Sequence, residues 1–142
     1  MSAATPPPEP TLRVLRFSLP LSCQPSLNEW RRWHWARRAK HQREVADRVA
    51  YEVLIAREQA GEPRHQEPMR KARLTAVYHF PTKARQDPSN RSQKFTGDAL
   101  VACGVLVDDD FAHLEEVVRM GGVEKPGRIE IEVTELGEET HD

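Results

Sequence analysis

Near its end the chain reads RIEIEVTEL, residues 128 to 136, with Ile129, Ile131 and Val133 alternating against Glu130, Glu132 and Thr134. Successive side chains of a β-strand point to opposite faces, so this pattern dictates a strand with one face buried and the other in water. Such a strand needs a sheet covered by an apolar layer on one side only. Other segments supply its neighbours. In TLRVLRFSLPL the residues Leu12 and Val14, then Phe17 and Leu19, suit a first strand closed by Pro20. KARLTAVYHF, residues 71 to 80, sets Ala72, Leu74, Ala76 and Tyr78 on one side and ends at Pro81. The short run VLV, residues 105 to 107, and HLEEVVRMGG, residues 113 to 122, read as two further strands.

The covering layer is legible as helical periodicity. From about Ala36 to Ala60, Val45, Ala46, Val49, Ala50, Val53 and Leu54 recur at helical spacing, and Gly61 and Pro63 stop the run. A shorter helix is expected from about Arg91 to Cys103, with Phe95, Ala99, Leu100 and Cys103 as its apolar stripe and Gly104 ending it. The order strand, helix, strand, helix and then three strands lacks the steady alternation of a doubly wound sheet. It predicts an α+β fold, a two-layer sandwich in which helices pack on one face of a mixed sheet. The chain has 142 residues, 38% of them hydrophobic, which suits a single core spanning residues 12–136. Residues 1–11 hold four prolines and few apolar side chains, and residues 137–142 are acidic, so both ends are expected to be disordered tails.

Charge narrows the function classes. Residues 1 to 94 carry 18 Lys and Arg against 9 Asp and Glu, and residues 95 to 142 carry 3 against 13, so a net charge of −1 conceals halves of +9 and −10. That split points to a nucleic-acid surface or to pairing between the halves within the fold. No stretch approaches a membrane span and MSAATPPPEPT lacks the apolar centre of a secretory signal, so the expectation is a soluble, cytoplasmic protein with no membrane partner. Cys23 and Cys103 form no metal or redox motif and read as reduced packing residues.

Chemistry concentrates in RQDPSNRSQKFTGDALVACGVLVDDD, residues 85 to 110. Asp87 lies in a loop, Lys94 and Asp98 stand four residues apart on one helix, and Asp108, Asp109 and Asp110 end a strand one helix length later. Carboxylates converging from separate elements are what magnesium requires, since it favours oxygen ligands and retains waters. Simpler roles compete. Asn90 and Gln93 can form a capping box, Asp87 can favour the helix dipole, and Lys94 with Asp98 can be an exposed pair contributing about 0.2–0.5 kcal/mol. A second dense stretch, NEWRRWHWARRAKHQR, interleaves Trp30, Trp33 and Trp35 with Arg31, Arg32, Arg37, Arg38, Lys40 and Arg43. Phosphate-directed charge beside flat rings is the composition of a groove that holds backbone and stacks on unpaired bases. The alternative is that the tryptophans anchor the segment on the core, and at least one is expected to do so. Lys83 and Arg85 add charge after the second strand.

The order D-x-x-N, K-x-x-x-D-A-L-x-x-x-G-x-x-x-D-D, formed by Asp87, Asn90, Lys94, Asp98, Ala99, Leu100, Gly104, Asp108 and Asp109, resembles the RusA family of Holliday junction resolvases. PSLNEWRRWHWARR resembles the family's amino-terminal loop and GRIEIEVTEL its final strand, so the resemblance spans roughly residues 12–136. It implies a magnesium-dependent homodimeric endonuclease that makes paired nicks in four-way DNA junctions. The residues it implies are Asp87, Lys94 and Asp109 for catalysis, with Asp87 and Asp109 on the metal. The DNA surface expected from basic charge beside aromatic rings takes in Arg31, Arg32, Trp33, Arg37, Arg38, Lys40, Lys83 and Arg85. The family's motif is D-x-D-N, and Ser89 stands here at the second acid. One more residue also separates Asn90 from Lys94 than in the family. Either Asp98, Asp108 or a water supplies the missing ligand, or metal binding is impaired and the chain binds branched DNA without efficient cutting. Along an extended segment Asp109 would face away from Asp108 and Asp110, and the resemblance selects Asp109 as the ligand.

Overall fold

A computed structural model describes residues 12–63, 66–83, 91, 94–110 and 112–137. Four strands, β1 (Val14–Pro20), β2 (Ala72–His79), β3 (Leu114–Met120) and β4 (Arg128–Glu135), form one sheet in the order β1-β4-β2-β3. β4 lies antiparallel between β1 and β2, and β2 pairs parallel with β3. Parallel neighbours need a crossover, and helix α3 (Lys94–Ala102) lies in the connection between β2 and β3. Two more helices, α1 (Leu27–Arg32) and α2 (Trp35–Gln59), join β1 to β2. The fold is thus α+β with a mixed sheet, as the periodicity predicts.

Alternation holds across the sheet. Leu15, Phe17 and Leu19 of β1 oppose Val133, Ile131 and Ile129 of β4, which in turn oppose Leu74, Ala76 and Tyr78 of β2, and all nine are buried. Val45, Val49 and Val53 of α2, and Phe95, Ala99 and Leu100 of α3, close this core from one side. On the other side a groove of about 660 Å³ is lined by alternate residues such as Arg16, Arg73, Arg119 and Arg128. Glutamates take up three of these cations: Arg16 meets Glu132 at 2.8 Å, Arg73 meets Glu115 at 3.2 Å, and Arg128 pairs with Glu124 and Glu130.

Five local expectations need correction. Leu12 and Val14 are exposed, because alternation carried back from Phe17 places Leu15 inside and Val14 outside. Arg13 then folds back on Glu135 at 2.8 Å. On α2 the buried stripe is Val45, Val49, Val53 and Arg57, four apart, while Ala50 and Leu54 face water. The segment 105–107 is no strand. Gly104, at φ +81, turns the chain out of α3, and only a parallel bridge between Met69 and Leu106 follows, with Met69 N–H donating to Val105 O at 2.7 Å. Helix α3 starts at Lys94 rather than Arg91, because Arg91 bridges to Ser26. Finally, PSLNEWRR contains a helix: Ser26 Oγ accepts from Glu29 N–H, and α1 runs to Arg32.

Both cysteines are free, and burial pushes the Cys23 thiol up to about 11, which suits packing. The proposed capping box at Asn90 and Gln93 and both tails, apart from Gly137, lie outside the described residues. Among the described residues no helix is long and apolar enough to cross a membrane.

Candidate functional site

The site begins with how α3 is held. Thr96, fully buried, donates its hydroxyl to Gln24 Oε1, and Gln24 Nε2 donates to the Tyr78 hydroxyl of β2. This chain of side chains joins α3 to the sheet through the segment before α1. The next two residues of α3 are Gly97 and Asp98. A Cβ at Gly97 would lie 3.5 Å from both Cβ and Oδ2 of Asp109 and 3.7 Å from Leu114. A methyl there would meet Asp109 at ordinary contact distance, and a longer side chain would collide with it.

The aspartate triplet divides in two. Asp110 Oδ1 accepts from Ala112 and His113 N–H and lies 2.6 Å from His113 Nδ1, and that contact holds the Asp110 carboxyl below its usual range. Ligand atoms of Asp108, Asp110 and His113 lie within 4.8 Å of one another at the surface. Asp109 instead turns to α3. There burial, a hydrogen bond with Asp109 and the charge of Asp109 push the Asp98 carboxyl up to about 6, against the opposing influence of Lys94. Burial and the charge of Asp109 also raise Glu116.

Glu116 is a residue that sequence reasoning missed. It sits on β3 opposite buried Leu74, in the same alternation as Leu114, which faces the helices. The side chain nevertheless stays exposed, because β3 is the edge strand, and EEVV shows no clean alternation by which the sequence could have assigned its face. Asp98, Asp109 and Glu116, from three segments, thus share one electrostatic neighbourhood beside Lys94. These carboxylates offer hard oxygen donors of the kind a divalent cation takes, but among the described residues the ligand atoms that lie within 4.8 Å of one another are those of Asp108, Asp110 and His113. Asp108 is grouped with Asp110 and His113. Asp87, Ser89, Asn90 and Arg85 fall outside the described residues.

The basic stretch forms a helix pair around an aromatic seat. Trp30 packs edge-on against Phe95 of α3 at 4.6 Å, and His41 meets the same ring at 4.8 Å. Trp33 meets Trp30 at 5.8 Å and His41 at 5.1 Å. Arg37 lies 4.2 Å over Trp33 and Arg38 lies 4.9 Å over Trp30. Arg38 also donates to the Trp30 and Arg31 carbonyls, and Lys40 stands 3.9 Å from Glu44. Arg31 and Arg32 occupy the exposed last turn of α1, where they favour its dipole, and Lys83 is exposed after β2. Trp30 is thus the tryptophan anchored on the core.

Sixty-one residues of the chain are 41% identical to the crossover junction endodeoxyribonuclease RusA of Escherichia coli O139:H28 (strain E24377A / ETEC). That stretch is RusA-like. The match covers 43% of this chain and 49% of the relative, so the chain spans about half the length of the curated RusA it matches. No protein-family model matches the chain.

Proposed function

We propose that this protein is a magnesium-dependent DNA endonuclease that resolves Holliday junctions by paired nicks, acting as a cytoplasmic homodimer in recombination and repair. The observation that carries the reading is that Asp109 acts electrostatically on both Asp98 of α3 and Glu116 of β3, with burial and then Asp109 driving the Asp98 carboxyl up to about 6. The RusA-like stretch supports the choice of substrate. Asp109 and Asp98, with Asp87 from the sequence before α3 and Glu116 at the edge, are the residues that would hold the ion. Bound there, magnesium supplies charge neutralisation for a phosphodiester under attack and a more acidic water. Lys94, at the start of α3, contributes a cation to the same neighbourhood. Arginines of α1 and α2 hold the flanking phosphates.

The second reading is a relative that binds branched DNA but cuts it weakly, and Ser89 in place of an acid favours it. Incubation with a labelled four-way junction, with and without magnesium, separates the two. Paired nicks that need the metal and vanish in Asp109→Asn, with binding retained or tightened, support the nuclease. Glu116→Gln should then raise the magnesium concentration needed. If Asp109→Asn cuts normally, the site is elsewhere. If the parent binds without cutting and Ser89→Asp switches cleavage on, the weak relative is the correct description.

A further inference from the structure

Of the three tryptophans in the basic stretch, Trp30 and Trp33 are committed to the packing around Phe95 and His41, and Trp35 is not. It is 74% exposed, although a ring of that size normally finds a seat. Nor is it on a loose loop. Trp35 is the first residue of α2, and His34, whose Nδ1 accepts from Ala36 N–H, caps the same helix. The His34 ring lies 5.3 Å from the Trp35 ring at an interplanar angle of 39°, leaning on one side of it. The indole therefore stands on a rigid element. Cations precede it in the chain: Arg31 and Arg32 stand exposed in the last turn of α1. A flat apolar ring alone in a basic surface is poorly suited to an apolar protein partner, which would bring further apolar contacts. It suits a nucleobase, which offers a π-face while its phosphates meet the arginines.

We infer that Trp35 is a stacking platform for an unpaired base at a DNA branch point, and so discriminates interrupted from continuous duplex. The inference rests on the DNA-binding reading above and adds to it a residue that selects the structure bound. A fully paired helix keeps its bases stacked on one another and offers the indole no free face. An unpaired base gives up little by moving onto it.

The test is binding of the full chain, in metal-free buffer, to a labelled duplex and to the same duplex carrying a three-thymine bulge. Trp35→Ala should weaken binding to the bulged DNA by about 5- to 150-fold, the loss of one base–aromatic stack, and leave the duplex within about twofold. Trp35→Phe should recover most of the affinity and Trp35→Leu should not, with thermal midpoints unchanged in all three. Equal losses on both DNAs, no loss on either, or Leu performing as well as Phe would overturn the stacking role. Those results would leave the nuclease reading standing. A parent chain that binds neither DNA overturns the stacking role, and the four-way junction assay then decides the nuclease reading.

Discussion

Asp98 is the residue whose environment differs most from that of a free carboxylate. Its value of about 6 lies above the ordinary 3.8, so the folded state holds a proton that the unfolded state releases. Stability from this group is therefore fully present below about pH 4 and is lost as pH rises through about 6. In metal-free buffer Asp98→Asn should raise stability at pH 7 by about 1 kcal/mol, since solvent screens part of the effect, and should remove that portion of the pH slope. Chemical denaturation at pH 4.5 and pH 7 checks the sign; a destabilised variant at pH 7 would refute it. Gly97 supports the same pair through space alone. Gly97→Ala places its Cβ at ordinary contact distance from Asp109 and gains helix propensity, so stability should hold within about 1 kcal/mol. Gly97→Leu has no such room and should displace Asp109, which a cleavage assay would read as loss of activity with the fold retained by circular dichroism.

At the scale of the element, α3 is located by both its apolar stripe and a polar tie. Thr96→Val keeps shape but withdraws the donor to Gln24 Oε1, at a cost of about 1–3 kcal/mol in thermal or chemical unfolding. Because that tie lies next to Gly97 and Asp98, activity should fall more than stability alone would require. Sequence periodicity recovers this helix and the faces of β2 and β4, since burial on one side imposes periods of 3.6 and 2. It fails at residues 105–107, where an apolar run as short as VLV carries no period. Tertiary context decided that segment: Met69 alone pairs there with Leu106. It fails likewise at α1, whose six residues are too few to show a period, although Trp30 packs half-buried against the core.

Across the whole molecule, the two oppositely charged halves pair with each other in part, Arg13, Arg16 and Arg73 meeting Glu135, Glu132 and Glu115. Arginines paired to glutamates line the open sheet face, whereas Arg31 and Arg32 stand exposed beside the aromatic seat. Replacing both with Ala should weaken binding to every DNA tested and reduce the salt dependence by about one unit of slope per lost phosphate contact. An unchanged slope would place these arginines outside the interface. Strand faces, helix stripes and the opposed charge of the two halves were readable along the chain, because each depends on residues close in sequence. The sheet order β1-β4-β2-β3 and the meeting of Glu116 with Asp109 were not. Both depend on a crossover that sets β3 parallel to β2 and brings its edge to α3, and pairing between distant segments is settled by how the whole core packs, which no local period records.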